Sequence, residues 1–142
     1  MRSLLRLASL GAFLFACAPS LDAQVSIIQG SGCTGSPDCG WSGNPMLGAQ
    51  LKLGGVGCGA DQALLSLGIE LMPPVPLPAG ITCLPNCVLA GTLLVNFPIE
   101  TIVLTIPMDR ALVGSSFVVN CACVRASPFC VSFARALRVT VQ

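Results

Sequence analysis

Residues 63–71 read Ala63-Leu64-Leu65-Ser66-Leu67-Gly68-Ile69-Glu70-Leu71. Ala63, Leu65, Leu67, Ile69 and Leu71 share one side of an extended chain, with Ser66, Gly68 and Glu70 on the other. A period of two marks a half-buried strand, because successive side chains of extended backbone point to opposite faces. The same period recurs outward in both directions. Ala49, Leu51 and Leu53 alternate with Gln50 and Lys52, and Ile102, Leu104 and Ile106 with Thr101, Val103 and Thr105. Leu93, Val95 and Phe97 share a face, as do Phe117, Val119, Cys121 and Cys123. Near the end, Leu137, Val139 and Val141 alternate with Arg138, Thr140 and Gln142. No window repeats at 3.6 residues, so helices are not expected.

Gly, Pro, Asn and Ser punctuate the gaps between these runs, and such spacing predicts an all-β domain. The expectation is a two-sheet β-sandwich of about seven to nine short strands. Two loops stand out. Residues 30–48 are rich in Gly and Ser and hold the only tryptophan, Trp41. Residues 72–85 include Pro73-Pro74-Val75-Pro76-Leu77-Pro78, which lacks the N–H groups a central strand needs and should run as a stiff, extended edge. As a proline-rich docking ligand it would lack the usual basic flank.

The chain begins with an export pattern. Arg2 and Arg6 precede the apolar run Leu7–Ala18, and Leu21-Asp22-Ala23 offers a small residue at a cleavage point. This layout predicts a signal peptide over residues 1–23 and a single secreted domain over residues 24–142. Leu14-Phe15-Ala16-Cys17 resembles a lipobox, which would put a lipid anchor on Cys17, but the bulky Phe15 departs from that pattern. After Gln24 every apolar run is broken by Gly or Pro too early to span a bilayer, so no transmembrane segment is expected.

Charge excludes several classes. Only 9% of residues are charged, and there is no His and no Tyr. Beyond the signal, Lys52, Arg110, Arg125, Arg135 and Arg138 balance Asp38, Asp61, Glu70, Glu100 and Asp109. Without a basic excess the chain does not read as a nucleic-acid binder. Without His it can build neither a Ser–His or Cys–His nucleophile nor a His-ligated metal site. The three Asp residues are too scattered for a D-x-D calcium loop. A hydrolase would have to use two facing carboxylates, and Glu70 with Glu100 is the pair to consider.

Eight cysteines follow the signal: Cys33, Cys39, Cys58, Cys83, Cys87, Cys121, Cys123 and Cys130. An even number in an exported chain predicts disulfides formed in an oxidising compartment. The short spacings suggest Cys33–Cys39 and Cys83–Cys87. Cys121 and Cys123 share a strand face and should not bridge each other; one is expected to reach Cys130 and the other Cys58. The spacings are not those of zinc knuckles. The C-x-C at Cys121-Ala122-Cys123 has only Arg125 nearby to favour a reactive thiolate. Gly30-Ser31-Gly32-Cys33-Thr34-Gly35 spells a dinucleotide fingerprint, but Ser36-Pro37-Asp38-Cys39-Gly40 does not open the helix that fingerprint requires, so the stretch reads as a disulfide-bearing loop. No cofactor is expected. Trp41 is expected to cap the sandwich core, stacking on a sugar ring being the functional alternative.

Several segments together resemble a known type of domain. They are Gly30–Ser36, Asn44–Gly48, Ala63–Gly68, Ile106-Pro107, Leu112-Val113-Gly114, Phe117-Val118 and the closing run Ser132–Gln142. This pattern is similar to a short secreted β-domain recurring in planctomycete exported proteins, alone or at the C-terminus of larger chains. The resemblance implies export and an all-β fold, and it carries no catalytic residues. Cys39, Cys87 and Cys121 are additions to it, suggesting extra staples.

Taken together, the residues predict a non-catalytic structural or binding module of the cell envelope or extracellular space. Its partner would be a protein or polysaccharide surface; the competing class is a small secreted hydrolase using a carboxylate pair. N-terminal sequencing of exported material should give Gln24 as the first residue. A lipid-modified Cys17 there would instead establish an anchored form.

Overall fold

In the computed structural model, which describes residues 24–142, the period-two runs become antiparallel strands. The expected signal over residues 1–23, including Cys17, lies outside the described residues. In chain order the strands are β1 (Gln24–Ile27), β2 (Trp41–Ser42), β3 (Gln50–Gly54), β4 (Gln62–Gly68), β5 (Glu70–Pro76) and β6 (Val88–Gly91). There follow β7 (Val95–Phe97), β8 (Thr101–Thr105), β9 (Ser116–Ala126), β10 (Phe129–Phe133) and β11 (Leu137–Thr140). Among the described residues no helix is long and apolar enough to cross a membrane.

The eleven-residue β9 is the axis of the fold. Its first half pairs with β11, its second half with β10, and its other edge with β4 throughout. With β1 beyond β11 and β7 beyond β4, these strands make a six-stranded sheet. On one face, β2, β3 and β8 form a second sheet. Leu51 and Leu53 of β3 interlock there with Leu65, Val119, Leu137 and Val139 of the large sheet. This is the sandwich that the alternation predicts. The opposite face carries a third, two-stranded sheet of β5 and β6, packed through Leu89 and Ala90 on Leu64, Ala122 and Val118. The fold is therefore all-β and sandwich-like, with three sheets rather than two and, among the described residues, eleven strands rather than the seven to nine expected.

The stretch 63–71 is two strands, not one. Pairing between β4 and β9 stops at Gly68, and the chain turns at the exposed Ile69 before β5 leaves to pair with β6. Gly68 permits the turn by close approach, since a Cβ there would sit 1.8 Å from the Thr92 carbonyl oxygen. The proline run behaves as expected: β5 is extended, and its pairing with β6 is interrupted between Glu70 and Val75.

All eight cysteines of residues 24–142 are bonded: Cys33–Cys87, Cys39–Cys121, Cys58–Cys123 and Cys83–Cys130. The expected short-range pairs are overturned, and the reason lies in the faces of the large sheet. Cys33 packs with Cys87, Ala122 and Phe133 on one face, whereas Cys39 packs with Leu51, Leu53 and Cys121 on the other. The loop between them crosses the sheet's edge, so the two thiols cannot meet. Its path is fixed by backbone bonds from the Cys33 N–H to the Phe133 oxygen (2.9 Å) and from the Cys39 N–H to the Arg135 oxygen (3.1 Å). Likewise the Cys83 N–H bonds the Val131 oxygen at 3.0 Å, which lays Cys83 beside Cys130 instead of Cys87. The expected Cys130 partner on β9 is thus replaced by Cys83, while Cys58 does reach β9, at Cys123.

Peptide mapping without reduction should recover these four pairs and no Cys33–Cys39 or Cys83–Cys87 peptide. Replacing Cys39 and Cys121 together with Ala should cost about 3–4 kcal/mol in denaturant unfolding, because that bond closes a long loop and sits inside the core.

Candidate functional site

Carboxylates come first, because only they among these residues offer acid–base chemistry at moderate pH. Each of the five is engaged. Asp38 makes a two-pronged bond with Arg135, Asp61 with Arg125, and Glu70 with Arg138. Glu100 accepts the Gly57 N–H at 3.0 Å, and Asp109 accepts the Ala111 N–H at 2.9 Å, capping a 3₁₀ turn over Arg110–Leu112. Glu70 and Glu100 are not brought together as a pair: Glu70 begins β5, and Glu100 precedes β8 in a different sheet. Hydrogen bonding from the Arg138 guanidinium holds the Glu70 carboxyl below its ordinary range; burial opposes this and direct charge attraction adds to it. The same contact raises Arg138.

The thiols are likewise committed. Every cysteine over residues 24–142 lies in a disulfide, which leaves no thiolate to bind zinc and no free C-x-C pair at Cys121 and Cys123. The glycine-rich stretch from Gly30 to Gly35 is a loop, with Ser31 donating to the Ile28 oxygen and accepting the Ala136 N–H. It is the disulfide-bearing loop expected from sequence, held by Cys33.

Trp41 departs from expectation. It belongs to none of the buried clusters and keeps 42% of its surface exposed, so it does not cap the core. The cause is its position on the two-residue edge strand β2, opposite Leu53, where no further strand among the described residues covers it. Trp41 lines a shallow groove of about 270 Å³ with Ser42, Lys52, Thr101 and glycines 40, 54 and 55. The groove's floor must be flat: Gly54 has φ +111° and a Cβ there would lie 2.0 Å from the Glu100 carbonyl oxygen. Lys52 pairs across β2 with Ser42 and across β8 with Val103, and no carboxylate bonds it among the described residues. An aromatic plate beside a free ammonium and two hydroxyls can stack on an apolar ring face while hydrogen-bonding its edge.

A second concavity has no counterpart in the sequence reading. At the end of the sandwich, Leu67, Leu94, Leu104, Ile106, Leu112 and Phe117 surround an open, almost wholly apolar mouth of about 440 Å³. It exists because β4, β7, β8 and β9 contribute strand ends there and the 3₁₀ turn only partly roofs them. The signal that could have revealed it is the cluster of apolar residues at strand ends, such as Ile69, Leu94 and Val95, all of which are exposed. Its lining holds no ionisable side chain.

No family model, curated protein or solved structure matches this chain.

The Glu70–Arg138 contact generates a pH test. Because the folded carboxyl titrates below its unfolded range, its contribution is present at neutral pH and is lost as pH falls through the lowered value. Carbon-detected NMR titration of Arg138→Ala should return Glu70 to the ordinary glutamate range. The stability cost at pH 7 should stay below about 1 kcal/mol, since both groups are partly solvated.

Proposed function

We propose that the chain is an exported, non-catalytic binding module of the extracellular space or cell envelope, and that it meets a polysaccharide or protein surface through Trp41. The observation that carries this reading is the exposure of the chain's only tryptophan beside Lys52, Ser42 and Thr101. Leaving half an indole in water forgoes the burial that stabilises most tryptophans, so its place here suits contact with a partner. The four disulfides support an oxidising environment. The export pattern at the N-terminus and the likeness to planctomycete exported β-domains support secretion. The engagement of all five carboxylates in ion pairs or backbone bonds supports a binding role over hydrolysis, which needs a carboxylate poised toward a substrate.

A single Trp makes the test direct. Titration with soluble cell-wall polysaccharides and extracellular protein fractions should blue-shift its fluorescence saturably as the indole leaves water. Trp41→Ala should weaken binding about 30-fold, equivalent to ~2 kcal/mol, while changing unfolding stability by no more than about 1 kcal/mol. Turnover of a glycan or ester substrate that vanished in Glu70→Gln or Glu100→Gln would replace this reading with the hydrolase one.

A further inference from the structure

Among the described residues, β8 is an edge strand with nothing on its outer side. It pairs with β3 alone, from Thr101 opposite Gly54 to Thr105 opposite Gln50. The bonds that flank this ladder show which residues face β3: the Gly55 N–H bonds the Glu100 oxygen, and the Ile106 N–H bonds the Ala49 oxygen, both at 2.9 Å. Antiparallel pairing alternates, so Ile102 and Leu104 also bond toward β3. The N–H and C=O groups of Thr101, Val103 and Thr105 therefore point away from the sheet, as a row of unmet donors and acceptors.

Three other edges are protected, whereas β1, the outer strand of the large sheet beside β11, is one residue shorter than β8 and carries neither proline nor charge. β5 carries Pro73, Pro74 and Pro76, and β10 is covered by the Thr82 bridge to Val131 and by the Cys83 and Cys33 N–H bonds. β7 is three residues long and is followed at once by Pro98. β8 has no proline and no charge, no segment among the described residues covers it, and Val103 is exposed. Such an edge invites another strand. The core is also unfinished at this side. On the same inner face of one sheet, Leu51 and Leu53 of β3 are wholly buried, whereas Ile102 and Leu104 of β8 are only half-buried.

The sequence of β8 indicates the occupant. Thr101-Ile102-Val103-Leu104-Thr105 reads nearly the same in both directions. Against an antiparallel copy of itself centred on Val103, Thr101 meets Thr105, Val103 meets Val103, and Ile102 meets Leu104. Because the free backbone groups lie on the odd-numbered residues, this register makes each of those odd pairs a hydrogen-bonded pair exchanging two bonds. The inner face gains Ile102–Leu104 contacts that extend the core, and the outer face gains Thr–Thr pairs of the kind that favour strand association. The arrangement is two-fold symmetric and closes on itself. We infer that β8 is a homodimerisation edge, joining two three-stranded sheets into one continuous sheet with the order β2-β3-β8-β8-β3-β2.

Sedimentation equilibrium on the oxidised chain, without Met1–Ala23, tests this. At about 100 µM, where interfaces of modest area associate, the wild type should be dimeric. Val103→Pro removes an N–H that the monomer does not use, so it should be monomeric with an unchanged circular dichroism spectrum. Val103→Lys places like charges opposite each other across the two-fold and should weaken association by at least about tenfold. An equimolar mixture of Val103→Lys and Val103→Glu should regain dimers. In the wild type, the Thr101, Val103 and Thr105 amides should gain hydrogen-exchange protection with rising concentration. A wild type that stays monomeric at that concentration overturns the proposal, and so does a dimer that persists unchanged in both Val103→Pro and Val103→Lys.

Discussion

The fold depends on one constraint: five consecutive residues of β9, Val118 to Ala122, are buried, although they point alternately to two faces. A strand in that position needs cover on both sides, and the two covers differ in kind. On the odd-numbered face, Leu51, Leu53, Leu65 and Leu137 fill a thick layer. On the even-numbered face the layer is thin around Val118, where Ala90, Gly91 and Ala136 build it, and a smaller cluster with Phe133, Leu64 and Leu89 covers Ala122. A side chain on Gly91 would come within 2.7 Å of Val118, so smallness there is required rather than tolerated. Burying each large aliphatic side chain contributes about 2 kcal/mol, and the thick face therefore supplies most of the hydrophobic stabilisation.

The remaining links tie irregular chain to that sheet. Cys39 and Cys58 lie outside strands and bond to Cys121 and Cys123 of β9, while Cys83 bonds to Cys130 of β10. Asp38 and Asp61, also outside strands, are held by Arg135 and Arg125. Glycine-rich loops lose much conformational freedom on ordering, and cross-links reduce that loss by restricting the unfolded chain. The ion pairs are partly exposed and add little energy each. Their larger effect is on the surface, where few of the sparse charges are left unpaired.

Much of the architecture was legible, because alternation depends only on which face a side chain occupies. Leu51 and Leu53, Val119 and Cys121, and Leu137 and Val139 all proved to be inward pairs. What alternation cannot encode is a change of sheet in mid-run. Ile69 keeps the period of Leu65 and Leu67, yet the chain turns at Gly68 and leaves Ile69 exposed. Disulfide partners were hidden for a related reason. Short spacing brings thiols close only when the loop stays on one side, and residues 33–39 pass from one face to the other. Trp41 misled because tryptophans are usually well covered, whereas a two-residue edge strand has no neighbour to cover one. The apolar mouth was illegible since it is formed by strand ends distant in sequence.

Scarcity of charge also shapes how the sheets end. A β-rich chain usually guards its edges with lysine or with inward-pointing charge, but nearly all the charges here lie outside strands or are taken up in ion pairs. Proline and covering chain take their place: prolines fill β5, Pro98 truncates β7, and the loops bearing Cys33 and Cys83 lie along β10. The loops that cover β10 are the ones the disulfides anchor, so along that edge protection and cross-linking are one solution. They require a loop long enough to fold back over an edge. β7 and β8 are joined by only Pro98, Ile99 and Glu100, which is too short to return along either strand. The longer connection that leaves β8, residues 106–115, bonds instead to Gly48, Ala49 and Val141 on its way to β9, so neither connection lies along the edge of β8.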